Sequence, residues 1–464
     1  MGGRMLAAWA LVVLAAGSGR AQSGGLPAVE SFVLAEMQRQ QVPGLAVAIV
    51  RRGEVILAKG YGLANVEHQV RVGPETIFQS GSLGKQFTAT VVMLLVEEGK
   101  LALDDSITKY LKDAPSEWEP ITVRHLLTHT SGIPDYTEGA IDLRRDYSED
   151  ELAKAAYHLK LEFPAGSRWN YSNTGYLLLG IIIHRASGQF YGDILHDRVF
   201  APLGMNTARV ISEEDIVPHR AAGYRFVAGR LKNQEWVSPS LNTTADGSLY
   251  FSLRDLIAWD RGLRAKALLR AESWAQIYDP AKLTSGRRYP YGFGWEIEEL
   301  AGHKVDQHAG AWQGFESFLA RYVEDELTII VLANLAEADL ERFVDGIAGL
   351  IDPALKPPEL RPIADHEPEV TARFKDLLAA ASQGRLKPEE FAYVRAGFFP
   401  DRAKAYLEML RALGGPSRID LLRRQELGDD RVYTYQVAYQ TKMLVAVLGI
   451  APNGKFSQFS IRPK

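Results

Sequence analysis

Ser82 and Lys85, three residues apart in Ser82-Leu83-Gly84-Lys85, place a hydroxyl and an amine on one face of a helix. A serine hydroxyl is a poor nucleophile until a neighbouring base takes its proton. A lysine can be that base only where burial or nearby charge depresses its pKa. Phe87 to Val96 is apolar nearly all round, so the pattern predicts a buried helix over residues 82–99, with Lys85 inside it and Gly99 as its stop. Alone, a serine three before a lysine is common in any sequence, and two further clusters give the pair its weight.

The first cluster is Tyr171-Ser172-Asn173, entered through Pro164-Ala165-Gly166-Ser167 and followed by the apolar run Leu177 to Ile183. Turn chemistry followed by a buried helix is expected, with Tyr171 and Asn173 facing one way from the loop and Ser172 the other. A phenol there can shuttle a proton, and a carboxamide can bind a substrate amide and steady the lysine. A core tyrosine and a helix N-cap are the other readings of the same residues. The second cluster is His308-Ala309-Gly310-Ala311, between strand-like residues 291–296 and 303–306 and the strand-like run 315–322. Small residues on a strand beside a site let substrate backbone approach, and N–H groups there can stabilise a developing oxyanion. A surface turn with a solvated histidine is the alternative.

With these clusters in this order, the chain resembles the serine β-lactamase and penicillin-binding-protein superfamily, in its branch of class C β-lactamases, D-alanyl-D-alanine carboxypeptidases, D-aminopeptidases and related esterases. The resemblance also takes in Val42-Pro43-Gly44-Leu45, Ile77-Phe78-Gln79-Ser80-Gly81-Ser82, Leu101-Ala102-Leu103-Asp104-Asp105, the stretch from Ile121 to Gly132 and Tyr291-Gly292-Phe293-Gly294-Trp295. It implies an α/β (α+β) fold, a mainly antiparallel sheet flanked by helices with an inserted helical subdomain. It implies that Ser82 is the acylated nucleophile, Lys85 its activator, Tyr171 the proton shuttle and Asn173 a substrate-amide ligand. The N–H groups of Ser82 and Ala311 would form the oxyanion hole, with His308 and Gly310 on the substrate-binding strand. The implied function is a serine hydrolase cleaving a peptide amide, ester or β-lactam bond in a small molecule or peptidoglycan-derived peptide. A non-catalytic penicillin- or peptidoglycan-binding sensor on the same scaffold is the other function class.

His308 departs from the β-lactamases, which mostly carry Lys-Thr-Gly. An imidazole titrating near about 6.5 is a conditional cation. The expectation is that affinity for carboxylate-bearing substrates falls as pH rises through that value, and that peptide or ester hydrolysis outranks efficient β-lactam hydrolysis.

A formal net charge of −4 over 464 residues argues against nucleic acid or another polyanion as partner. Zero cysteines excludes disulfides, thiolate metal sites and a cysteine nucleophile. The ten histidines show no metal-ligand spacing. His125 and His129 lack a third ligand and read as structural, and no phosphate-binding glycine loop is present, so no metal or cofactor is expected. Arg4, the apolar residues 5–16 and Gly19-Arg20-Ala21 read as a signal peptide over 1–21, too short to span a membrane, which implies export to the periplasm or medium. A retained anchor is the competing reading.

Residues 22–352 read as the hydrolase domain. Residues 45–50 and 55–60 form a predicted hairpin; 292–297, 315–322 and 327–334 read as strands, and 171–186 and 253–264 as helices. Pro353, Pro357, Pro358 and Pro362 mark a linker over 353–365 that sets the last unit apart from the motifs. Residues 366–464 read as an α+β domain, with helices over 367–384 and 387–412 and strands over 431–439, 443–450 and 455–461, comparable to cystatin-like or nuclear-transport-factor-like modules. Tyr433, Tyr435 and Tyr439 are expected to line that domain's own core rather than a ligand groove.

Overall fold

The computed structural model describes residues 25–139, 141–392 and 398–463; the leader assigned to 1–21 lies outside them. Its centre is a seven-stranded antiparallel sheet. From edge to edge the strands are Glu296–Leu300, His303–Trp312, Phe315–Tyr322, Leu327–Ala333, Gly44–Arg51, Glu54–Asn65 and Val70–Arg71. The central pair is buried on both faces, and its period-2 alternation divides two cores. Leu45, Val47, Ile49, Ile329 and Val331 face one core, closed by helices Gly25–Gln40 and Leu340–Ile351. Ala46, Ala48, Ile330 and Leu332 face the other, which the helical part of the chain fills.

The helix Lys85–Glu97 runs through that second core, buried from Lys85 to Leu95, as a helix apolar nearly all round must be. Its interior hydroxyls are satisfied: Thr88 donates to the Ala245 carbonyl at 2.6 Å and Thr90 to the Gln86 carbonyl at 2.8 Å. Ser82 lies just before it, in a tight helical turn over Gly81–Gly84. The helix Asn173–Ser187 begins at Asn173, leaving Tyr171 on the loop.

The expected strand over 292–297 begins only at Glu296. Gly294 has a φ of +74°, and a Cβ there would sit 2.8 Å from the Lys85 carbonyl, so this aromatic-glycine stretch turns against the Lys85 helix instead of extending. Of the expected helix over 387–412, the α-helix among the described residues is Ala403–Leu413. Phe399, held extended ahead of Pro400, breaks it.

The C-terminal unit packs helices Pro368–Ser382 and Ala403–Leu413 on a four-stranded antiparallel meander, Arg418–Leu427, Asp430–Ala438, Met443–Ile450 and Phe456–Pro463. Its first strand is absent from the sequence reading. Tyr433, Tyr435 and Tyr439 lie in this unit's core, with Phe374 stacked on Tyr435 at 4.2 Å. Contacts bridge this unit and the hydrolase domain. Arg168 pairs with Asp430, Arg287 reaches Glu426 at 2.7 Å, and the turn at Gly428 seats against Leu283 and Tyr289.

Candidate active site

Two backbone segments, at Gly247 and at Gly310–Ala311, close on the Ser82 turn through three glycine positions where no side chain fits. A Cβ on Gly310 would meet the Ser80 carbonyl at 2.1 Å and the Leu83 nitrogen at 2.7 Å. A Cβ on Gly247 would meet the Gly81 carbonyl at 2.4 Å, and one on Gly81 the Ala311 nitrogen at 2.3 Å. The Gly310 side-chain position is thus filled by the protein's own turn. The strand Glu296–Leu300 pairs with its neighbour only as far as Gln307, so residues 308–312 present an edge that it leaves uncovered, and this edge meets the Ser82 turn.

Lys85 is fully buried, and its Nζ donates to Ser82 Oγ at 2.9 Å, Asn173 Oδ1 at 2.7 Å and the Asp246 carbonyl at 2.5 Å. Burial pushes the amine down to about 8, against the opposing pull of the Asp246 and Asp135 carboxylates. The Tyr171 ring stands 5.0 Å from Nζ, its hydroxyl in hydrogen-bond contact with the Ser82 side chain. Burial holds that phenol well above its ordinary pKa, so it stays protonated. Ser82, Lys85, Tyr171 and Asn173 are therefore brought together as the sequence motifs anticipate. An amine titrating near neutrality against a serine hydroxyl, with a phenol at the same oxygen, can move a proton off Ser82 and return it.

Asp135 Oδ2 accepts from the Asn173 main chain at 3.1 Å and from its Nδ2 at 2.9 Å. Asp246 Oδ2 accepts from the Tyr136 hydroxyl at 2.8 Å. Sequence reasoning missed Asp135, Tyr136 and Asp246; their only signal was turn chemistry in Pro134-Asp135-Tyr136 and Asp246-Gly247. A cavity of about 240 Å³ opens beside Ser82, lined among others by Tyr136, Asn173 and Trp312.

His308 is 2% exposed, and burial together with the Lys85 charge drives its pKa to about 3. The expectation of a cation titrating near neutrality is overturned. Its Nδ1 contacts the Ala309 carbonyl at 2.5 Å and its Nε2 the Tyr291 hydroxyl at 2.9 Å, so no ring nitrogen is left over for a substrate. The same hydroxyl meets His129 Nε2 at 3.1 Å, and His129 Nδ1 accepts from the Ser172 N–H at 3.2 Å. Donor and acceptor rules then order the whole row: Ser172 N–H to His129, His129 Nε2–H to Tyr291, Tyr291 O–H to His308, His308 Nδ1–H to Ala309. His129, expected to be structural, is one link of it.

Among the described residues no group of histidines and carboxylates is placed to hold a metal ion, and no helix is long and apolar enough to cross a membrane.

The family model described as Beta-lactamase matches residues 29–350. Penicillin-binding protein 4* of Bacillus subtilis (strain 168) is 29% identical over 317 residues, 65% of this chain and 70% of that protein. The D-aminopeptidase of Brucella canis is 30% identical over 320 residues, 67% of this chain but only 60% of that enzyme. Among solved structures, the D-amino acid amidase from Ochrobactrum anthropi SV3 aligns with a TM-score of 0.62 at 25% identity, covering 72% of this chain and 99% of that one. The octameric penicillin-binding protein homologue from Pyrococcus abyssi aligns with a TM-score of 0.64 at 24% identity, covering 94% of this chain and 99% of that one, so its fold extends through the C-terminal unit.

Proposed function

Because the chain belongs to the beta-lactamase family of serine hydrolases, we propose that it cleaves D-amino-acid amides, short D-peptides or esters through an acyl-enzyme on Ser82. The observation that carries this reading is the buried Lys85 Nζ at 2.9 Å from Ser82 Oγ, with a pKa of about 8. As a neutral amine Lys85 takes the Ser82 proton while Oγ bonds to the substrate carbonyl carbon. Tyr171 relays a proton to the leaving nitrogen or oxygen, the C–N or C–O bond breaks, and the amine or alcohol departs. Water then adds to the acyl ester and gives a proton to the same pair. The acid leaves as Ser82 Oγ regains its hydrogen. The backbone N–H groups of Ser82 and Ala311 are assigned to the developing oxyanion.

The D-aminopeptidase and D-amino acid amidase among the matches support the D-amino-acid preference. The neutral His308 supports ranking amides and esters above β-lactams, because it supplies no fixed cation for a substrate carboxylate. The pattern over residues 1–21 supports export. The test is a panel of D-alanine amide, a D-alanyl-D-alanine peptide, p-nitrophenyl acetate and a chromogenic cephalosporin. Turnover of amide, peptide or ester, abolished in Ser82→Ala, is expected. Turnover that survives Ser82→Ala, or cephalosporin hydrolysis faster than all the others, overturns the reading.

A further inference from the structure

A second cavity, of about 250 Å³, lies where the C-terminal unit meets the hydrolase domain. Trp169, Tyr171 and Tyr289 line it from one side; Phe398, Leu427 and Ser460 are among the residues that line it from the other. The wall is built rather than incidental. Trp169 and Tyr289 stack at 4.1 Å with their planes 8° apart, and the hairpin turn at Gly428 rests on Tyr289. The Arg168–Asp430 pair that ties the two units together is largely buried, at 16% and 15% exposure.

Tyr171 connects the two cavities. Its hydroxyl touches Ser82, which opens onto the first cavity beside Asn173, while the residue itself lines the second. In acyl transfer the group that protonates the leaving atom stands on the leaving-group side of the nucleophile. With Tyr171 as that donor, the acyl portion belongs in the cavity beside Asn173, and the leaving group departs past Tyr171 toward the C-terminal unit. Stacked rings on one wall and Phe398 on the other favour a flat ring, since aromatic faces reward offset stacking beyond plain area burial.

We propose that the C-terminal unit completes a leaving-group subsite and that this subsite takes aromatic amines or alcohols. The proposal rests on the acyl-transfer reading above.

The experiment uses the full chain and two substrate pairs that share an acyl group: D-alanine amide against D-alanine p-nitroanilide, and methyl acetate against p-nitrophenyl acetate. Leu427→Trp, which narrows the cavity from the C-terminal side, should lower kcat/KM for the aromatic member about tenfold or more and change the small member less than about twofold. Phe398→Ala, which removes a wall, should weaken competitive inhibition by free p-nitroaniline. Equal losses on both members, or no change on either, overturn the subsite, provided circular dichroism and fluorophosphonate labelling of Ser82 match the native chain. A native chain that cleaves none of the four overturns the acyl-transfer reading itself and the subsite with it.

Discussion

The Asp135 carboxylate holds Asn173 at two points, main-chain N–H and side-chain amide, and so turns the Asn173 oxygen toward Lys85. Asn173 is therefore held in place before any substrate arrives. Asp135→Ala should lower kcat about ten- to a hundredfold while leaving KM comparatively unchanged, the scale of losing a held geometry. Asp135 also raises the Lys85 pKa through its charge. Asp135→Asn, which keeps an acceptor oxygen but not the charge, should recover much of kcat and move the rising limb of the pH–rate profile to lower pH. A profile that stays in place removes Asp135 from the electrostatics of Lys85.

Lys85 must be neutral to accept a proton, and its neutral fraction grows as pH rises through about 8. The kcat/KM profile for an uncharged ester should climb through that value to a plateau, and Lys85→Ala should cut acylation by about two to four orders of magnitude. Stopped-flow labelling of Ser82 with a fluorophosphonate across pH 6 to 10 measures both.

His308 predicts stability rather than affinity. The folded ring resists protonation down to about 3, whereas the unfolded ring titrates near about 6.5. The unfolded chain thus binds more protons between those values, so the stabilisation is whole above about 6.5 and lost as pH falls toward 3. Urea midpoints should drop on acidification less steeply in His308→Gln than in the native chain. Native kcat/KM should show no inflection near neutrality that follows His308.

Gly310→Ala puts a methyl 2.1 Å from the Ser80 carbonyl, against backbone on both sides of the Ser82 turn. A cost of about 1–3 kcal/mol is expected, with slowed acylation because the turn itself must shift. Chemical denaturation and active-site labelling on the same preparation check the pair of effects.

Ser82, Lys85, Tyr171 and Asn173 were legible because each sits in a short motif at an element boundary, and the order of those motifs resembles the serine β-lactamase and penicillin-binding-protein superfamily. Asp135, Asp246 and Tyr291 were not, because their partners come from segments far away in the chain and a lone turn aspartate carries no address. The hairpin Gly44–Arg51 with Glu54–Asn65 and the strand Phe315–Tyr322 follow plain alternation. The strand Arg418–Leu427 does not. Its register shifts between Leu421 and Arg423, and Arg424 reaches Glu367 and Glu426, so a bulge and a charged surface hide the period. His308 was misjudged because an unperturbed imidazole was assumed where the fold supplies a dry one.

The row from Ser172 through His129, Tyr291 and His308 to Ala309 hands each hydrogen in one direction only. A lysine grafted at position 308 would arrive as a donor where the row requires an acceptor, so the Tyr291 hydrogen would have to turn to another partner such as the Tyr176 hydroxyl. Converting this strand to the Lys-Thr-Gly kind is accordingly a rewiring of several residues. An engineer who wants a carboxylate-binding cation here must design positions 129 and 291 along with 308, because a donor at 308 reverses the direction of the row that they share.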